Sequence, residues 1–191
     1  MKRFLTIALL CLGVALRLSC QTNEETMLFN KINAYRDSLG LKKLVWDASA
    51  YKMASHHSKY ITIINSTPYK KGIVCHSEDI DNIDIPDFKE LSFDARCNEF
   101  IKKDYLSIRE NCAIDNITST FSSKSKIQIY DSFFSQWFKS NTGHKENMES
   151  KDVTRGACSI QYYTVNMEFK LSSGKIKNKV FNYAVAVLNL Y

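Results

Sequence analysis

Two prolines and six glycines in 191 residues exclude a collagen-like repeat, a Pro-rich hinge or a Gly-rich linker. The chain also lacks a G-x-x-x-x-G-K-[ST] loop, a G-x-G-x-x-G turn, a G-x-S-x-G elbow, an H-E-x-x-H helix and any C-x-x-C pair. Nucleotide, α/β-hydrolase, zincin and thioredoxin chemistries therefore lack the local geometry they need. After residue 19 no stretch reaches the ~18 to 20 apolar residues that a membrane-spanning helix requires. With 45% hydrophobic residues the chain is not disordered, and its length suits one globular domain.

The positive charge is less informative than it looks. Lys2 and Arg3 precede an almost wholly apolar run from Phe4 to Leu16, the n-region and short h-region of an export signal. Removing Lys2, Arg3 and Arg17 takes the formal charge from +6 to +3, so no nucleic-acid partner is expected. Leu18-Ser19-Cys20 closes the apolar run as a lipoprotein signal does, which makes Cys20 a lipidation site and the membrane a partner through that anchor. An ordinary cleaved signal is the alternative. With Cys11 discarded and Cys20 acylated, Cys75, Cys97, Cys112 and Cys158 remain as candidates for two disulfides in an oxidising compartment. The resulting division is an export signal over 1–19, a short tether over 20–26 and one domain over 27–191.

Within that domain Leu28, Ile32, Tyr35 and Leu39 predict a helix over 22–39, ended by Gly40. Asp47 is a good N-cap for a second helix whose apolar face carries Ala50, Met53, Ala54 and His57, with His56 pointing outward. From 61 to 107 the periodicity fails and Glu78, Asp79, Asp81, Asp84 and Asp87 cluster. Their spacing lacks the turn glycine and closing Glu of a calcium loop, so a solvated acidic loop is expected. Ile127, Tyr130, Phe134, Trp137 and Phe138 mark a third helix. Val, Ile, Tyr and Phe then dominate 157–171 and 179–190 on either side of Ser172-Ser173-Gly174, an antiparallel hairpin along which Lys175, Lys177 and Lys179 share one solvated face. Helices followed by strands indicate an α+β layered domain. Asn65 and Asn116 head sequons that matter only in a eukaryotic secretory pathway.

Five pieces in order carry a family resemblance. The first is Ile32-Asn33, Arg36, Gly40-Leu41, Leu44, Trp46-Asp47, Ala54 and His57-Ser58. The others are His76; Glu110-Asn111-Cys112-Ala113; Trp137, Ser140, Gly143-His144-Lys145 and Asn147-Met148; and Arg155-Gly156-Ala157 with Tyr183 to Leu188. Together they resemble the CAP superfamily, the cysteine-rich secretory, antigen 5 and pathogenesis-related-1 group, in its bacterial secreted branch. The resemblance implies a three-layer α-β-α sandwich with a central antiparallel sheet, and a cleft lined by two histidines and two acids that holds a divalent cation in some members.

Carried over, it implies His76 and His144 as the imidazoles and Glu110 as the first acid, with Asn111 and Ser140 beside them. Ser140 stands where the second acid is usual, so the full tetrad is absent. Two imidazoles and a carboxylate could hold Zn²⁺ or a similar cation, or form a metal-free hydrogen-bond network. Two functions stay open. One is an exported envelope module, secreted or membrane-anchored, that binds a lipid, peptide or envelope ligand in the cleft. The other is a metal-assisted hydrolase, peptidase- or esterase-like, with Glu110 as the candidate catalytic acid or base.

Overall fold

A computed structural model describes residues 21–78, 84–102, 107–118 and 127–191. The expected export segment, Cys20, Asp79 and Asp81 lie outside the described residues. Thr22 opens the fold: its hydroxyl accepts from the Glu25 N–H while the Glu25 carboxylate accepts from the Thr22 N–H, a reciprocal cap for α1 (Asn23–Ser38). The first turn of α1 thus occupies part of the stretch assigned to a tether. Asn33 clasps the Leu44 backbone through both its amide oxygen and nitrogen, at 2.7 and 3.0 Å. Buried Arg36 donates to the carbonyls of Lys42, Met148, Ser150 and Val153, so a charge with no carboxylate partner among the described residues is satisfied by backbone.

A two-residue strand, β1 (Val45–Trp46), leads to Asp47, whose Oδ1 accepts from the N–H groups of Ser49 and Ala50 and caps α2 (Ala48–Asn65). After a long connection come the single turn α3 (Phe93–Arg96), a π-helical turn over Cys97–Ile101, and β2 (Arg109–Asn116). The remaining elements are α4 (Ile127–Phe138), α5 (His144–Glu149), β3 (Arg155–Lys170) and β4 (Ile176–Leu190). The strand order is β1-β3-β4-β2. The sheet is mixed rather than purely antiparallel, because β1 pairs parallel with β3 at Val45 and Trp46 while every other pairing is antiparallel.

Helices cover both faces of the sheet, which is why β4 is an unbroken apolar run from Ala184 to Leu188. Cys158, Ile160, Ala184, Ala186 and Leu188 pack with α1 and α4 around the fully buried Trp137 and Phe133. Val185, Val187 and Cys112 face the other way, against Ala54, Ile61 and Ile64 of α2. The α-β-α layering therefore follows from two apolar rows on alternate residues of the same strands.

The four body cysteines remain thiols rather than forming two disulfides. Cys158 and Cys112 sit in cores on opposite faces of the sheet, and Cys97 packs in a separate cluster with Met53 and Ile101. Asn65 is buried, with its amide bonded to Ile61 and Ile73, so the first sequon is not a surface acceptor.

Gly156 of β3 lies tight against β4: an added Cβ would sit 2.6 Å from the Asn189 carbonyl oxygen and 2.5 Å from Leu190 Cδ2. Gly156→Ala is expected to cost about 1–3 kcal/mol, read as a lower urea midpoint at unchanged slope. An unchanged midpoint would mean that the strands separate there without cost.

Candidate functional site

The site is built on the α2 side of the sheet. Strand alternation sends Glu110 and Cys112 of β2 to that face, opposite Asn189 and Val187 of β4. Above them run α2 and the segment 74–78. Gly143, at φ +98°, turns the chain after α4 so that His144 opens α5 at the rim. The result is a cleft of about 470 Å³ lined by Val74, His76, Cys112, Gln136, Thr142 and His144 among others. The His76 and His144 rings lie edge to face with centroids 6.5 Å apart.

His76 Nδ1 is 3.0 Å from Glu110 Oε1, which turns the opposite ring nitrogen away from the carboxylate. The His76 side chain is 55% exposed and that of Glu110 only 2%. Asn111 is buried and does not line the cleft. Its Nδ2 donates to the His144 carbonyl at 2.9 Å and its Oδ1 accepts from Asn147 Nδ2 at 2.8 Å, so it positions α5. Ser140 is not among the residues lining the cleft, and its hydroxyl accepts from the Thr142 N–H to hold the turn after α4.

Beneath the cleft lies a buried charge network that sequence reading passed over. Arg96 Nη2 reaches both oxygens of Glu110 at 3.0 Å and also donates to the His76 carbonyl at 2.8 Å. Its Nη1 lies 3.0 Å from Glu78 Oε1 and 2.7 Å from His57 Nδ1. Glu78 is fully buried rather than part of a solvated acidic loop, and its second oxygen accepts from the Leu91 N–H. His57 Nε2 lies 2.6 Å from the Cys75 carbonyl, an obligate acceptor, so Nε2 carries hydrogen, while Nδ1 lies 3.0 Å from Glu78 Oε1 beside the guanidinium. His56 does not point outward; its Nδ1 is 3.1 Å from Glu78 and its ring packs on Phe88 and Phe100. Asn189 donates its amide nitrogen to Glu110 Oε2 at 3.0 Å and accepts from the Ala54 N–H at 3.1 Å.

Burial alone would raise both carboxyls, but the network outweighs it. Hydrogen bonds from His56 and His57 and the Arg96 charge hold Glu78 at about 2. His57, the His76 hydrogen bond and Arg96 hold Glu110 below the ordinary carboxylate range. Burial, and then the neighbouring His76, lower His144, so its imidazole is neutral near neutral pH. Burial pushes the Cys75 thiol up to about 11 and Cys112 well above its usual value, which leaves neither as a thiolate nucleophile.

His57, Glu110 and Cys112 bring ligand atoms within 4.8 Å of one another, a spacing at which a His/Glu/Cys group could hold a metal. The Arg96 guanidinium already contacts two of the three, however, His57 through Nη1 and Glu110 through Nη2. A second cation there would meet a fixed positive charge and a protonated thiol.

The sequence profile of the cysteine-rich secretory protein (CAP) family matches residues 29–172. The chain belongs to the CAP family. Membership supports an extracellular or surface protein. Among solved structures, a Borrelia burgdorferi outer surface protein is similar at 14% identity and a TM-score of 0.49, covering 89% of this CAP chain and 94% of the other. No curated protein sequence matches the chain.

Removing the guanidinium tests the network. Arg96→Met removes the cation that two buried carboxylates share and is expected to cost about 3–5 kcal/mol near neutral pH. The sign follows from the lowered carboxyls: the stabilisation by Glu78 is complete above its ordinary 4.5 and is lost as pH falls toward about 2. Urea denaturation across that range should show stability falling in the native protein and a flatter profile in Arg96→Met. Parallel profiles would contradict the pairing.

Proposed function

We propose that this CAP domain is an extracytoplasmic binding module, held to the envelope membrane through Cys20, that takes a small apolar, lipid or peptide ligand against His76 and His144. The observation that carries this reading is the state of Glu110. A general base works best with a pKa near about 7, whereas Glu110 is held below the ordinary carboxylate range with both oxygens on Arg96. Its chemistry is to fix the His76 ring and tautomer, leaving two oriented imidazoles beside the apolar wall of Val74 and Ile114.

A divalent cation is compatible with this arrangement. The donor set would be His76 and the neutral His144, with Glu110 orienting His76 as a carboxylate behind a metal-binding imidazole does. Bound there, a cation would supply Lewis acidity, and that is the observation favouring a metal-assisted hydrolase as the second reading. Two protein ligands make a weaker site than the three of a catalytic zinc centre.

Native mass spectrometry of protein from its own host separates the two readings and also reports acylation at Cys20. The binding reading expects a retained small molecule that Gln136→Trp, which narrows the cleft from the exposed face of α4, no longer carries. Zn²⁺-dependent turnover of p-nitrophenyl esters or peptides, abolished in both His76→Ala and Glu110→Gln, would replace it with the hydrolase.

A further inference from the structure

Beyond Asn116, where β2 ends opposite Tyr183, β4 keeps β3 as its sole strand neighbour among the described residues, and their outer halves form a two-stranded ribbon. Directly paired residues share a face. On one face Val165 pairs with Phe181, Met167 with Lys179 and Phe169 with Lys177, and at the turn the Leu171 N–H donates to the Lys175 carbonyl. One strand thus supplies an apolar row and the other a row of lysines. The inner end of the apolar row, Val165 and Met167, also lines a groove of about 220 Å³. At the tip Phe169, Leu171, Ile176 and Val180 are 41–62% exposed, on both faces, so no part of the described chain covers them. Between 166 and 180 one acid, Glu168, stands against Lys170, Lys175, Lys177 and Lys179.

We propose that this ribbon docks on an anionic lipid surface, its apolar tip entering the interface and its lysines meeting the headgroups. Exposed apolar patches in a folded domain mark contact sites, and the cation–apolar pairing selects the partner. A second copy of the chain would oppose lysines to lysines. An acidic peptide would engage the lysines and leave the apolar row in water. Placement agrees: the Ile160 N–H donates to Glu25 Oε1 at 2.9 Å, so the first turn of α1, which follows Cys20 closely in sequence, lies beside the root of the ribbon. An acyl group at Cys20 would bring this end of the molecule to the membrane, but the docking itself does not need one.

The test uses the chain from Gln21, which contains every element and core cluster described above. Co-sedimentation with phosphatidylglycerol/phosphatidylcholine vesicles is expected to show binding that weakens with salt, and none with phosphatidylcholine alone. A lysine near an anionic surface contributes about fivefold, so K175Q/K177Q/K179Q should lose about a hundredfold in affinity. F169S/L171S, which keeps every charge, should also bind more weakly, with circular dichroism confirming that both variants stay folded. Absence of vesicle binding by the native sequence, or unchanged binding in the lysine variant, overturns the proposal. Binding to polyglutamate as tight as to vesicles and indifferent to F169S/L171S also overturns it, in favour of an acidic protein partner. Ligand retention in the cleft is measured separately, so either reading can fail without the other.

Discussion

The guanidinium of Arg96, sealed between Glu78 and Glu110, is the contact on which the rest of the site depends. A buried carboxylate is tolerated only with a partner, and here two carboxylates share one cation. Because Arg96 also holds the His76 carbonyl, and His57 of α2 holds the Cys75 carbonyl, the irregular segment 74–78 is fastened to α2, α3 and β2 at once. That segment forms a wall of the cleft. The domain stabilises a functional loop with charge where it has no regular backbone ladder to do so.

The same bridge decides what Glu110 can do. A carboxylate tied by three donors, Arg96, His76 and Asn189, is a fixed negative end that aligns an imidazole. The imidazoles of His76 and His144 are what the cleft presents, beside an apolar wall that runs on through Val74 and Ile114 into the groove of the hairpin ribbon. Recognition of a partly apolar ligand suits this surface better than proton transfer.

Local rules made much of the fold legible. The helix over 22–39, Asp47 as a cap, the apolar face of α4 and the hairpin around Ser172-Ser173-Gly174 each depend on residues close in sequence. The ordered motifs brought His76, Glu110 and His144 into view, and the alternation of Lys175, Lys177 and Lys179 showed a shared face, although not the apolar row opposite it. Strand β1 was invisible because two residues have no period. Arg96 and Glu78 were missed, and His57 was placed on the buried face of α2 without its charged partners, because a buried charge is recognised by its partner and these come from three separate segments with no common spacing. Glu78 read as one more acid in an acidic loop; only the fold shows Leu91 and Arg96 closing over it.

The central claim, that Arg96 fixes Glu110 as an ionised, orienting carboxylate, is tested most directly by the pH titration of its side-chain carboxyl carbon, followed by ¹³C NMR. The account predicts a midpoint below the ordinary 4.5, with the group fully ionised through the neutral range. A midpoint raised toward about 7, where a general base operates, would contradict it.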